Sequence, residues 1–471
     1  MKDTILKPES IKIIRLKDEK ALFIHADTLQ MYPLDDKELI EFLERYCEGD
    51  HQGLIKQYGK NDFDNYCDEI NNIINNSPKL TSYNFSQYEV PNGVFNTVVL
   101  PISGHCTLAC PYCFAHVNGK FNFEDFTTEG IEKAVDFSVA NLNSFSEDSP
   151  LCIVFFGGEP LMRVDLIKHT INYIKTKYAN KNVAYSITTN GTILSDEIIH
   201  IFKDNKFSVL VSIDGPDNEF NLRKDHAGNK SFYQVMDFIK VLKENGIYTE
   251  LRATLVNTNP YIVETFDFFE QQKLPFFVSF AYASENKDHH WAEYDNNLIT
   301  SIKSQFDRLL DYYIKKIENH ETIYDKHFYQ RNEMLRFREN KRIACGAGRT
   351  YFTIMSSGDI FACAHFMNQK EHSIGNINCV DIKPDTHKAI EIDKIEECSK
   401  CWAKHLCLGS CPSQKISLGK RNDTAATPNE CELEKMELEL YIKLYYYSKT
   451  IAPYVYEKKL EKDKESKPKD C

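Results

Sequence analysis

The sequence lacks the features of a chain that binds nucleic acid or enters a membrane. Its 471 residues carry 57 lysines and arginines against 69 aspartates and glutamates, a net charge of −12. Contacts with phosphates need a basic surface, so this balance argues against duplex nucleic acid as a partner. No apolar run is long enough to span a bilayer, and the first residues, MKDTILKPES, contain no apolar signal-peptide segment. We therefore expect a soluble, cytoplasmic protein with no nucleic acid and no membrane as a partner.

The sequence also has too few cysteines for a disulfide scaffold, 15 in 471 residues. Their distribution is uneven, because seven lie between 345 and 431, Cys379 not counted. Three more lie within eight residues: Cys106, Cys110 and Cys113. Clustered cysteines in a cytosolic protein favour metal binding over disulfides. Three others stand among apolar residues and are expected in the core: Cys47, Cys67 and Cys152.

The first 90 residues have the pattern of a small α+β unit. Short β-prone runs are followed by helical spacing of apolar residues, and Asp35 or Asp36 is expected to cap a helix that runs through Cys47. The predicted strands fall in 11–17, 21–26 and 28–32, and the later helices fall near 51–58 and 62–76. The polar, turn-rich stretch 77–93 is expected to be a linker.

From residue 95 onwards, β-rich runs alternate with amphipathic helical segments. The six runs are 95–103, 152–158, 184–190, 207–214, 248–256 and 276–283. Such alternation predicts βα units and a parallel sheet. Six units are too few for a full eight-stranded barrel, so we expect an open, partial (β/α)6 barrel of the TIM type.

These patterns predict four regions. A helical stretch, 295–340, follows the barrel and leads to a loop-rich, cysteine-rich module and then a closing helix. The expected boundaries are 1–90, 91–325, 326–450 and 451–471, the last being a solvated tail.

The first cysteine cluster, Cys106-Thr-Leu-Ala-Cys110-Pro-Tyr-Cys113, directly follows the first barrel strand. Three thiolates on one loop can hold three irons of a [4Fe–4S] cluster and leave the fourth iron open. An open coordination position makes a metal reactive, as in catalytic zinc sites. The alternative is a structural zinc site, for which three cysteines are an incomplete set.

This spacing resembles that of the radical S-adenosylmethionine (SAM) superfamily. The resemblance implies that SAM occupies the open iron and is cleaved by one electron to a 5′-deoxyadenosyl radical. Gly157-Gly158-Glu159-Pro160 ends the second strand and Ser212-Ile-Asp214-Gly ends the fourth. The residues that the resemblance implies as SAM contacts are Tyr112, Gly157, Gly158, Glu159, Ser212 and Arg223.

The second cysteine set resembles the SPASM extension of radical SAM enzymes that modify peptides. Its order is Cys345, Cys363, Cys398-x2-Cys401-x5-Cys407-x3-Cys411 and Cys431. The resemblance implies two auxiliary [4Fe–4S] clusters, three clusters in all. The distal set would be Cys398, Cys401, Cys407 and Cys431, and the proximal set would be Cys345, Cys363 and Cys411. The proximal set is one ligand short, so either Cys379 completes it or the site is open to a substrate thiolate.

The pattern of residues 11–76 resembles the winged-helix-like domains that bind the leader of a precursor peptide. Such domains add the leader as a strand to a sheet edge. The alternative is a scaffold that packs on the barrel.

The resemblance as a whole implies a maturase of ribosomally made peptides that installs a thioether, with ferredoxin or flavodoxin as electron donor. A second hypothesis is an anaerobic sulfatase-maturating enzyme that forms formylglycine. Those enzymes have an acidic residue after the second SPASM cysteine, whereas here Ala364 and His365 follow Cys363. A carbon–carbon crosslinking maturase and a non-catalytic iron–sulfur protein are further alternatives.

Overall fold

The computed structural model describes residues 7–81, 95–115, 121–142, 150–258, 260–281, 290–367, 369–379 and 390–453. Most of the predicted linker and the predicted tail, residues 82–94 and 454–471, lie outside them. No helix within the described ranges is both long and apolar enough to cross a membrane.

The N-terminal unit is a three-stranded antiparallel sheet followed by three helices, as predicted. The strands are β1 (Ile11–Arg15), β2 (Ala21–His25) and β3 (Met31–Leu34), in the order β1-β2-β3. The helices are α1 (Lys37–Cys47), α2 (His51–Tyr58) and α3 (Lys60–Asn76). Asp36 caps α1 because its carboxylate accepts from the backbone N–H groups of Glu38 and Leu39.

Both faces of this sheet are covered, which explains why all five residues of β2 are buried. Phe23 and Ile13 face the helices of the unit itself. Leu22 and Ile24 face the C-terminal region, where they pack in one apolar cluster with Trp402 and other buried side chains. The scaffold alternative placed this unit on the barrel. The apolar contacts of its second face are with the C-terminal region, and Lys17 also forms an ion pair with Asp311 of the helix that follows the last barrel strand.

The partial (β/α)6 barrel is present in the predicted order. Its strands are β4 (Thr97–Ser103), β5 (Leu151–Gly157), β6 (Val183–Thr189), β7 (Ser208–Ser212), β8 (Thr249–Leu255) and β9 (Phe276–Phe280), all parallel to their neighbours. Its helices are α4 (Thr128–Ala140), α5 (Val164–Lys177), α6 (Asp196–Asp204), α7 (Phe232–Glu244), α8 (Ile262–Gln272) and α9 (Asn296–Glu318). The strands and helices share one large apolar core. Parallel strands covered by helices bury mostly apolar residues, as observed for β5.

The C-terminal module contributes strands that the sequence did not predict. Strand β10 (Tyr351–Ile354) pairs in parallel with β4, and β11 (Asp359–Phe361) and β12 (Gly375–Asn376) follow antiparallel. The result is a nine-stranded sheet in the order β12-β11-β10-β4-β5-β6-β7-β8-β9. Strands this short carry too few residues for a periodic signal. Because β11 is joined to the barrel sheet through β10, Cys363, which lies just after β11, is placed beside the barrel.

The remaining helices of the described residues surround the cysteine-rich segment. They are α10 (Lys326–Phe337), α11 (Glu396–Ser399), α12 (Lys404–Cys407), α13 (Pro412–Ser417) and α14 (Pro428–Ile451). Helix α14 begins with a capping box in which Thr427 and Glu430 bond to each other's backbone. Because α14 begins at Pro428, Cys431 lies in its first turn.

Candidate active site

The loop that carries the first cysteine cluster is held by the glycines at the end of β5. Gly158 donates its N–H to the carbonyl of Ser103 at 2.7 Å, and Glu159 donates to the carbonyl of His105 at 2.7 Å. A Cβ atom at position 158 would lie 2.1 Å from the His105 oxygen. Only glycine lets the two backbones approach this closely. The Gly157-Gly158 pair therefore fixes the position of the loop that carries Cys106.

The thiols of Cys106, Cys110 and Cys113 lie within electrostatic reach of one another. Within the described part of the chain, however, no three His, Cys, Asp or Glu side chains converge closely enough to hold one ion. Burial raises the pKa of Cys106 to about 11 and that of Cys110 to about 12. These thiols therefore need a bound metal to become thiolates, and coordination deprotonates a thiol outright.

A cavity of about 630 Å³ opens beside these cysteines, at the carboxyl ends of the barrel strands. This end is where βα barrels build their active sites. The predicted site residues that line it are Cys106, Cys110, Tyr112, Cys113, Gly157, Gly158, Ser212, Arg223 and Cys363. Five separate segments of the chain thus contribute predicted site residues to one cavity of ligand-binding size.

Glu159 is the predicted SAM contact that does not line this cavity. Its buried carboxylate accepts from the Thr189 hydroxyl and the Asn190 N–H, both at 2.7 Å, and from the Leu161 N–H at 3.1 Å. Burial raises its pKa to about 7, and these hydrogen bonds act against that shift. The carboxylate therefore joins the ends of β5 and β6. The backbone carbonyls of the two glycines remain as the predicted partners of the SAM ammonium group.

Asp214 forms hydrogen bonds with several residues in a second part of the cavity wall. Its carboxylate accepts from the Tyr112 hydroxyl, and Arg223 donates to one of its oxygens through Nε and Nη2 at 3.1 and 3.0 Å. The Thr254 N–H donates to the same oxygen at 3.1 Å. The guanidinium of Arg223 also lies 5.5 Å from the centre of the Tyr112 ring. Tyr112 and Arg223 are thus held together next to Ser212.

Electrostatic interactions connect the later cysteines in two sets. Burial raises the pKa of Cys345 to about 12, and the thiols of Cys411 and Cys363 add to this shift. Burial likewise raises the pKa of Cys398 to about 11, to which Cys431 and Cys401 contribute. In the same way Cys431 adds to the burial that raises the pKa of Cys407 to about 12.

The two groups are neighbours, because the buried ammonium of Lys415 interacts with cysteines of both. Lys415 also donates to the Asn422 carbonyl at 2.8 Å. Of the proximal group, Cys363 lines the cavity. Cys379 is exposed, beyond β12, and does not line it. Its backbone N–H donates to Asn376.

Three cavity residues were missed in the sequence or given no role. Asn190 donates to the Cys106 sulfur at 3.4 Å. His365 stacks on Phe114 with ring centres 4.1 Å apart, and burial, with the charge of Arg252, lowers its pKa to about 4. Arg252 lies in the middle of β8 with its side chain in the cavity. An arginine in the middle of a predicted barrel strand was the available signal.

Comparison with known proteins identifies the barrel. Residues 100–269 match the Radical SAM superfamily. A cysteine-type anaerobic sulfatase-maturating enzyme of Clostridium novyi is 26% identical over 75% of this chain and 97% of its own length. A serine-type enzyme of Bacteroides thetaiotaomicron is 26% identical over 68% of this chain and 83% of its own length.

Solved structures share the fold. The anSMEcpe structure with bound AdoMet is 20% identical, covers 77% of this chain and 97% of its own, and has a TM-score of 0.62. Streptococcus suis SuiB bound to precursor peptide SuiA is 16% identical, covers 89% of this chain and 98% of its own, and has a TM-score of 0.50. Residues 100–269 therefore form a radical SAM domain, a family that uses SAM and a [4Fe–4S] cluster, and the chain is an enzyme that acts on a peptide or protein substrate.

Proposed function

We propose that this enzyme matures a ribosomally made precursor peptide by joining a cysteine sulfur to a carbon atom in a thioether. The observation that carries the proposal is the shared cavity. It is lined by Cys106, Cys110 and Cys113 and also by Cys363, a member of the proximal group. A substrate in this space would lie between two iron–sulfur sites, which the joining of a C–H carbon to a thiol requires.

The cysteine groups support three [4Fe–4S] clusters. Cys106, Cys110 and Cys113 would hold the cluster that binds SAM, and reductive cleavage of SAM supplies a 5′-deoxyadenosyl radical. The distal group, with four thiols, can saturate its cluster. The proximal group has three thiols and would leave one iron for a substrate thiolate, since thiolate is the ligand that such iron prefers.

The balance of the reaction gives a second iron–sulfur site a role. The substrate carbon gives up a hydrogen atom to the 5′-deoxyadenosyl radical, and the cysteine thiol gives up a proton. Formation of the C–S bond then leaves one electron, which must enter an acceptor close to the carbon. The proximal group lies at the cavity wall through Cys363 and can hold that acceptor. The exposed position of Cys379 supports an open proximal site.

The N-terminal unit supports a peptide partner. Strand β3 is one of the two edge strands of its sheet among the described residues, and β1 is the other. The last turn of α3 lies beside β3, because Tyr32 of β3 and Ser77 are hydrogen-bonded. Ile73, on that turn, is 46% exposed and offers apolar surface next to the edge. A leader segment added to β3 would pack against this surface.

The SuiB structure supports the same assignment. The part of this chain outside that match is only about a ninth of its length, which is shorter than residues 1–90. Part of the N-terminal unit therefore has a structural counterpart in a protein that was solved with its precursor peptide.

Formylglycine formation is the second candidate. It is favoured by the 26% identity that extends over 97% of the Clostridium novyi enzyme. Against it, the residue after Cys363 is Ala364, which cannot act as the acid–base group that the resemblance implies at that position.

The discriminating experiment uses the reconstituted enzyme, SAM, a reductant and the peptide encoded by the adjacent gene, followed by tandem mass spectrometry. A thioether product lacks a pair of hydrogen atoms, retains every sulfur atom and has lost a free thiol. Loss of sulfur from a cysteine would instead establish formylglycine formation. A product lacking the hydrogen pair with all thiols free would establish formylglycine from serine if it carries an aldehyde, and a carbon–carbon crosslink if it does not.

A further inference from the structure

One patch of the cavity wall carries hydrogen-bond donors from two neighbouring strands. Arg252 and Thr254 are two residues apart on β8, so their side chains emerge on the same side of the sheet. Thr254 is aligned with Ser279 of β9. All three side chains line the cavity of about 630 Å³. We refer to Arg252, Thr254 and Ser279 as the donor patch.

The donor patch has no acceptor of its own. Within the described residues, none of its three side chains makes a hydrogen bond or an ion pair to another side chain. Two other cations near the same strands are neutralised. Arg223 is paired with Asp214 at 3.0 Å, and Lys326 is paired with Glu250, which is two residues before Arg252. Glu371 also lines the cavity, but no ion pair joins it to Arg252.

An arginine side chain without an ion-pair partner costs little free energy while water in the cavity solvates its guanidinium. Once a peptide displaces that water, the guanidinium needs a negative partner, because burying an unpaired charge is costly. Arginine offers a planar fork of donors that matches a carboxylate in a bidentate way. The hydroxyls of Thr254 and Ser279 can donate to the same group.

We propose that the donor patch binds a carboxylate of the peptide substrate, from an acidic side chain or the C-terminus near the modified residue. This inference rests on the proposed function. The position of the patch favours the peptide over the carboxylate of SAM. Arg252 lies on β8 and lines the cavity together with Cys363 and His365, whereas the predicted SAM contacts lie at or beyond the ends of β4, β5 and β7.

The test compares Arg252→Gln and Arg252→Lys with the wild-type enzyme, using the adjacent-gene peptide. A peptide set replaces each Asp and Glu of the modified region in turn with Asn or Gln, and one member has an amidated C-terminus. Arg308→Gln is the matched control, because Arg308 is exposed and pairs with Glu264 on the outer helices. Cluster content is checked in every variant. The readouts are the KM for the peptide and the Kd for SAM.

The expected result is a rise of about tenfold to a hundredfold in the peptide KM for Arg252→Gln, as for a lost hydrogen bond to a charged group. Arg252→Lys should give a smaller rise. One member of the peptide set should show the same rise with wild-type enzyme and no further rise with Arg252→Gln. The Kd for SAM should equal that of the wild type.

Three results would overturn the inference. An unchanged KM would exclude the contact, and so would a peptide set in which no acidic residue or C-terminus matters to the wild-type enzyme. A weaker Kd for SAM with an unchanged peptide KM would assign the patch to the SAM carboxylate. If the wild-type enzyme modifies none of the peptides, the proposed function fails first and the inference with it.

Discussion

At the scale of single residues, Glu159 links two strand ends beneath the cavity. Glu159→Gln replaces an acceptor oxygen by an amide that meets N–H donors from Asn190 or Leu161. A buried donor left without a partner costs about 1–3 kcal/mol. We expect the melting temperature of the reconstituted enzyme to fall by several degrees.

The control for this prediction is Glu197→Gln, since Glu197 is a largely exposed residue paired with Lys168. It should leave the melting temperature unchanged. A Glu159→Gln variant that melts like the wild type but binds SAM much more weakly would contradict the structural role. That outcome would restore a direct contact with the SAM ammonium group.

The exposed thiol of Cys379 gives a second residue-scale prediction. Because Cys379 lies away from the cavity, Cys379→Ala should leave the auxiliary-cluster spectra and thioether formation unchanged. Electron paramagnetic resonance of the reduced enzyme and product mass spectrometry measure the two effects. Loss of the proximal cluster, or a signal from a newly vacant iron, would make Cys379 its fourth ligand.

Single residues differ in how well the sequence predicted them. The cysteines were found because ligands of one cluster keep a fixed local spacing, as in Cys106, Cys110 and Cys113. The structural contacts of Glu159 were hidden in the sequence because they come from the end of β6, a strand more than twenty residues away. The unpaired state of Arg252 was equally hidden, since it depends on which partner Glu250 takes.

At the scale of elements, long periodic segments were predicted well. The helix that Asp36 caps and that ends at Cys47 was predicted correctly, because a side-chain cap and an apolar face are local signals. The six barrel strands were predicted for the same reason. Strands β10 to β12 were missed because their stability comes from pairing with β4, far away in the chain.

The edge of the N-terminal sheet carries the element-scale prediction. Ile73→Glu places a charge on the apolar turn beside β3 and should weaken binding of a fluorescent leader peptide by about tenfold, because about 1.4 kcal/mol of apolar contact is lost. Ile451→Glu is the matched control, since Ile451 is another exposed isoleucine, at the end of α14. Equal leader affinity in both variants would exclude the edge of β3 as the binding site.

At the scale of the whole molecule, three modules are joined by shared cores. The N-terminal sheet packs on Trp402 and Leu438, and β10 extends the barrel sheet. Deletion of residues 1–90 would therefore expose an apolar face of the cysteine-rich module. For this reason point variants on the outer surface test leader recognition more cleanly than truncation does. The expected outcome of truncation is loss of auxiliary iron together with loss of leader binding.

The central claim is that Cys106, Cys110 and Cys113 form the catalytic site and that the later cysteines hold separate clusters. The most direct measurement is iron content together with 5′-deoxyadenosine formation in the triple alanine variant, reconstituted without oxygen. Cys67→Ala serves as a control, because Cys67 lies within the N-terminal unit. The account predicts that the triple variant keeps about two thirds of the wild-type iron, as two of three clusters remain, and forms no 5′-deoxyadenosine. Continued formation of 5′-deoxyadenosine by that variant would contradict it.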